Sequence, residues 1–148
     1  MVDLNNVKIA VDFDGTIVEH EYPAIGKEKL FAFQTLRELN KMGVRLILWT
    51  FRTGKELEEA VEFCRENGVE FYAVNKSYPE EVYDESISRK IDADIFIDDK
   101  NVGGFPGWSA IWQILNPYDL HQEVVERQIT SVSRRLLNKI FGQKRNED

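Results

Sequence analysis

Two pairs of aspartates stand where short apolar runs end. Asp12 and Asp14 follow Val7 to Val11, and Asp98 and Asp99 follow Ile95-Phe96-Ile97. A third polar group, Thr50 with Arg52, follows Leu46-Ile47-Leu48-Trp49. Two acidic clusters brought to one place repel each other unless a cation lies between them. The donors on offer are oxygens, with no suitable histidine or thiol beside them, so the expected cation is hard, and Mg²⁺ suits a carboxylate site that awaits a phosphate. Such an ion lets an anionic nucleophile approach an anionic phosphoryl group.

These groups need a scaffold that delivers strand ends to a common edge. Val7 to Val11 is a β-rich run that breaks at Asp12-Phe13-Asp14-Gly15-Thr16, a loop composition. Leu30, Phe33, Leu36 and Leu39 have helical spacing and stop before Gly43, predicting a helix over 30–41. Val44 to Trp49 reads as a second strand, Lys55 to Asn67 as a second helix stopped by Gly68, and Val69 to Val74 as a third strand. The stretch from Lys76 to Lys90 is irregular and precedes the fourth strand, Ile95 to Ile97. Strands alternating with helices predict an α/β fold with a mainly parallel sheet and helices on both faces. Sheets of this kind take ligands at the carboxyl ends of their strands, which is where the three polar groups fall.

At 148 residues the chain is the size of one domain. The expectation is a single domain with a core over about 7–116, a helical segment over about 120–141 and a disordered tail over 142–148. A composition of 43% hydrophobic, 11% aromatic and 30% charged residues is that of a globular protein. No apolar run approaches the roughly 20 residues of a membrane span, and the first residues lack a secretion signal, so a cytoplasmic location is expected. The net charge of −7 argues against nucleic acid and anionic membrane as partners. A lone cysteine, Cys64, excludes an internal disulfide and reads as a core residue of the second helix. Val124, Val125, Ile129, Val132, Leu136, Leu137 and Ile140 form an apolar stripe that packs on the chain's own core or makes a homodimer.

The motif Asp12-Phe13-Asp14-Gly15-Thr16, with Thr50 closing the second strand, Lys90 upstream of the fourth and Asp98-Asp99 closing it, resembles the haloacid dehalogenase (HAD) superfamily of phosphohydrolases. The joint pattern covers about two thirds of the chain. It implies a Rossmannoid fold, here without a cap domain, because neither interval between the motifs has room for one. It implies Mg²⁺ held by Asp12, Asp14 and the Asp98-Asp99 pair, Asp14 through its backbone carbonyl. Asp99 is favoured as direct ligand and Asp98 as partner of Lys90, without settling which of the two binds. Asp12 would attack phosphorus and form an aspartyl phosphate, and Asp14 would protonate the leaving oxygen and then deprotonate water. Gly15, Thr16, Thr50 and Lys90 would receive the phosphoryl group.

Two further residues are weighed on their chemistry alone. Arg52 reaches either a substrate anion or a surface carboxylate. His20, in the loop Glu19 to Pro23, touches a leaving group or solvent. Phe105 and Trp108, after Gly103-Gly104, either wall the site or pack in the core. A calcium loop is excluded, since Thr16, Ile17 and Pro23 occupy positions where an EF-hand needs an acidic or amide residue, Gly and Glu. The expected activity is that of a phosphomonoesterase. A phosphoacceptor signalling domain has a similar inventory in a different order and lacks the acid/base Asp14. A polynucleotide-end phosphatase fits the motifs but not the acidic balance.

Overall fold

The computed structural model describes residues 3–116. Residues 3–112 form one compact unit, which holds the strands found among the described residues. The chain from Gln113 belongs to a second unit, whose described part completes the helix that begins at Trp108. The apolar stripe beyond Leu120 and the expected helical segment and tail lie outside the described residues.

Four parallel strands, β1 (Lys8–Val11), β2 (Arg45–Leu48), β3 (Ala73–Val74) and β4 (Ile95–Ile97), form one sheet in the order β3-β2-β1-β4. Three helices, α1 (Ala32–Lys41), α2 (Gly54–Glu66) and α3 (Trp108–Leu115), complete a Rossmann-like α/β fold. The two inner strands are buried on both faces. Ile9, Ala10 and Val11 of β1 and Leu46, Ile47 and Leu48 of β2 are all but inaccessible, as continuous apolar runs in a parallel sheet require. Phe96 points outward from the edge strand β4.

Helix α1 begins two residues later than its apolar spacing suggests. Phe31 adopts a left-handed conformation at the N-cap, and Leu30 is exposed rather than part of the stripe of Phe33, Leu36 and Leu39. Cys64 is buried as expected, on α2 beside Ala60. The third strand is far shorter than the run Val69 to Val74, because only Ala73 and Val74 reach register with Ile47 and Leu48. Among the described residues no helix is long and apolar enough to cross a membrane.

The topology has one point where the winding reverses. From β1 the chain passes through α1 to β2 on one side, while β4 joins β1 on the other. A crevice opens at the carboxyl end of such a point. Val11 is level with both Leu48 and Ile97, so the residues that follow each strand emerge together.

Candidate functional site

The Asp-x-Asp spacing is set by Phe13. Its ring is fully buried and meets Phe63 of α2 edge-on at 6.4 Å, and Phe63 meets Phe33 of α1 at 5.5 Å. With the middle residue drawn into the core, Asp12 and Asp14 are left at the crevice. The Asp12 backbone N–H donates to the Ile97 carbonyl at 2.9 Å, which carries the β1–β4 pairing up to the first aspartate. The Thr16 hydroxyl donates to Asp12 Oδ2 at 3.1 Å. Thr16 is wholly buried and its carbonyl accepts the Trp108 indole N–H at 2.8 Å, so it braces Asp12 from behind. Expected among the phosphate ligands, it has its hydroxyl engaged by the carboxylate and does not line the cavity.

Asp12, Asp98 and Asp99 each bring a carboxylate oxygen within 4.8 Å of the other two. Near 4 Å, two like charges repel by about 4 kcal/mol at an effective dielectric of 20, so three carboxylates this close require a proton or a cation. Burial lifts Asp12 from the usual carboxylate range to about 7, against the hydrogen bonds of the Phe13 N–H and Thr16, and the charges of Asp98 and Asp99 add to the rise. Asp99 Oδ1 is buried and has no hydrogen-bond partner. A buried acceptor of this kind is costly unless something fills its coordination. A hard cation would suit the all-oxygen set on that account, and Asp99 Oδ1 could serve as one of its ligands.

The close approach depends on Gly15. It has a φ of +88°, and a Cβ there would lie 2.3 Å from Asp99 Oδ2. No other residue type lets the first loop pass so near the last strand's carboxylate. Asp98 is held by its own turn, with Oδ1 accepting the Lys100 N–H at 2.7 Å and its carbonyl accepting the Asn101 amide at 2.8 Å.

The Asp14 carboxylate is not part of this cluster. Its two carboxylate oxygens accept hydrogen bonds of 2.7 Å each from Nε and Nη2 of Arg52. Arg52 also donates to the carbonyls of Pro23 at 2.9 Å and Ala24 at 2.7 Å, and it is 1% exposed. Its guanidinium lies 5.0 Å from the Phe13 ring and 5.2 Å from that of Tyr22. Of the two readings of Arg52, the carboxylate partner is the one realised, although the pair is buried rather than on the surface. The fork occupies both oxygens of Asp14, so one must be released before that carboxylate meets a ligand.

Thr50 lies at the crevice with its hydroxyl accepting the Arg52 backbone N–H at 3.2 Å. Its own N–H donates to Asn75 Oδ1 at 2.8 Å, and Asn75 follows β3 with a positive φ of 53°. Asn75 thus clamps the Thr50 loop. Its position just past a strand end was the available signal, obscured because β3 is so short.

Asp12, Asp14, Thr50, Arg52, Asp98 and Asp99 line one cavity of about 510 Å³. His20 lines it too, although exposed. Lys90 does not. It is exposed in the connection before β4, where its backbone N–H donates to Ser88 Oγ, and the cavity's lysine is Lys100, whose Nζ stands 3.8 Å from Asp99. In this structure the lysine beside the aspartate pair is thus Lys100 rather than the expected Lys90. The motif spacing alone does not show where the irregular chain between Lys76 and Lys90 will run. Trp108 belongs to the core, and Phe105 packs against it with ring centres 5.7 Å apart, so neither walls the cavity. Its aromatic lining residues are Tyr22, Trp49 and Phe51.

No protein-family model matches the chain, and no curated protein matches it. A solved structure described as that of a conserved protein coded by a locus from Bacteroides thetaiotaomicron is 55% identical, with a TM-score of 0.72, covering 77% of this chain and 93% of that one.

Proposed function

The chain belongs to the family of that conserved Bacteroides thetaiotaomicron protein, and on the chemistry of its own site we propose that it is a Mg²⁺-dependent phosphomonoesterase of the HAD type. The observation that carries this reading is the cluster of Asp12, Asp98 and Asp99 with a buried, unpartnered oxygen on Asp99, set beside Thr50 at the strand ends. An all-carboxylate centre at such a crevice suits a phosphoryl group brought in against negative charge.

Mg²⁺, held by Asp99 with Asp12 and Asp98, supplies charge neutralisation for the carboxylates and the incoming phosphoryl oxygens. The protein's own groups divide the remaining work. An oxygen of Asp12, braced by Thr16, attacks phosphorus as the bond to the leaving oxygen breaks, and the electron pair departs with that oxygen. The Thr50 hydroxyl donates to a phosphoryl oxygen and Lys100 offers a positive charge at the rim, in the place expected of Lys90. Asp14, oriented by Arg52, accepts a proton from the water that attacks the aspartyl phosphate. Phosphate then leaves and the Asp12 carboxylate is restored. Before that, the leaving alkoxide takes its proton from Asp14 or from water.

The test is hydrolysis of phenyl phosphate with and without Mg²⁺, combined with intact-mass analysis. Turnover should need the cation, Asp12→Asn should abolish it, and Asp14→Asn should accumulate a phosphate adduct that Asp12→Asn lacks. Full turnover in excess chelator, or an adduct on both variants, would overturn the assignment.

A further inference from the structure

Resting on the phosphomonoesterase reading, we infer that the phosphoester taken by this site carries a flat aromatic group, received by Tyr22, Trp49 and Phe51 of the cavity lining. The cavity, about 510 Å³, is of the size that houses a small organic ligand and exceeds what a phosphoryl group alone would fill. Its carboxylates, Thr50 and Lys100 account for the phosphoryl group and its cation. Three aromatic residues are also among its lining.

The three rings are positioned by different means. Trp49, just past β2, is half-buried and packs on the core cluster of Ala10, Ile47, Ala73 and Ile91 while still lining the cavity. Tyr22 is half-exposed, with the Arg52 guanidinium over its ring at 5.2 Å. Arg52 is itself fixed by Asp14 and two backbone carbonyls, so the ring stands on a rigid support. Phe51 lies between Thr50 and Arg52 in the chain and is 100% exposed, so its ring is open to a ligand. A single exposed apolar residue is ordinary. Three aromatic side chains around one cavity, next to the groups that would hold the phosphate, form a surface on which a planar ring stacks.

Planar rings of two origins share this chemistry, a simple aryl group and a nucleobase. The experiment compares phenyl phosphate and adenosine 5′-monophosphate with glycerol 1-phosphate in the presence of Mg²⁺, using the full chain, Phe51→Ala and Val102→Ala. Val102 is as exposed as Phe51 but lies off the cavity. Aromatic esters should exceed glycerol phosphate in kcat/KM by ~10-fold or more, and Phe51→Ala should bring that ratio toward one, chiefly through KM, while Val102→Ala retains it. Which aromatic ester is preferred tells aryl from nucleoside. Equal turnover of the aromatic and aliphatic esters, or a ratio untouched by Phe51→Ala, overturns the inference. Calorimetric binding of phenyl phosphate and inorganic phosphate to Asp12→Asn, with and without Phe51→Ala, separates the two readings. If no ester is hydrolysed, a tighter fit for phenyl phosphate that depends on Phe51 still supports the aromatic pocket, and equal affinities overturn it.

Discussion

Arg52 donates two hydrogen bonds of 2.7 Å, one to each carboxylate oxygen of Asp14, across 38 residues of chain. Both groups are nearly enclosed, with side-chain exposures of 0% and 12%. Removing one partner of such a pair leaves a buried charge uncompensated. Arg52→Ala is therefore expected to destabilise the protein by about 3–5 kcal/mol, and Arg52→Lys to recover only part, since a point charge cannot serve two carboxylate oxygens and two carbonyls together. Urea unfolding measures this. A midpoint for Arg52→Ala equal to that of the wild type would show the fork to be incidental.

Gly15 and Gly103 share a φ near +89°, at +88° and +89°, but differ in surroundings. A Cβ on Gly15 would meet Asp99 Oδ2, whereas one on Gly103 has nothing within 4 Å. Both alanine variants carry the same backbone strain, so their difference isolates the clash. Gly15→Ala is expected to weaken Mg²⁺ binding by ~10-fold or more, equivalent to about 1.4 kcal/mol, while Gly103→Ala binds as the wild type does. Calorimetric titration with Mg²⁺ decides; equal affinities would remove the steric argument.

The pH response of the chelated protein has a definite sign. Asp12 titrates at about 7 in the fold against an ordinary value of 3.8, so the folded state holds the proton more tightly than the unfolded one. Its contribution to stability is complete below about 4 and is lost as pH rises through about 7. In chelator, the urea midpoint should fall between pH 5 and pH 8 by more for the wild type than for Asp12→Asn. Saturating Mg²⁺ should cancel the difference at pH 8. Identical pH slopes for the two proteins in chelator would exclude Asp12 as the source.

Cys64 is completely buried on α2, and burial pushes its thiol up to about 12. The thiolate is the reactive form, so a thiol reagent at neutral pH should label the native protein only as fast as it opens. Labelling that tracks added denaturant is the expected result, and rapid stoichiometric labelling of the folded protein would contradict the burial.

The local sequence determined the strands and the edge at which they end. Apolar runs closing on Asp12, Asp98 and Thr50 are short-range signals, and parallel pairing then aligns those ends, with Val11 level with both Leu48 and Ile97. The candidate carboxylates were legible for the same reason. Tertiary structure alone decided the partners. Whether Arg52 meets a ligand or Asp14, whether Thr16 faces the cavity or braces Asp12, and whether Lys90 or Lys100 reaches the rim all depend on loops that carry no periodicity. The aromatic lining of the cavity was hidden likewise, because Tyr22 lies some thirty residues from Phe51 and their loops meet only through the fold, where Tyr22 packs on Arg52. A strand's course follows from a repeat of two residues, but the pairing of side chains from separate loops follows from where the whole chain has packed.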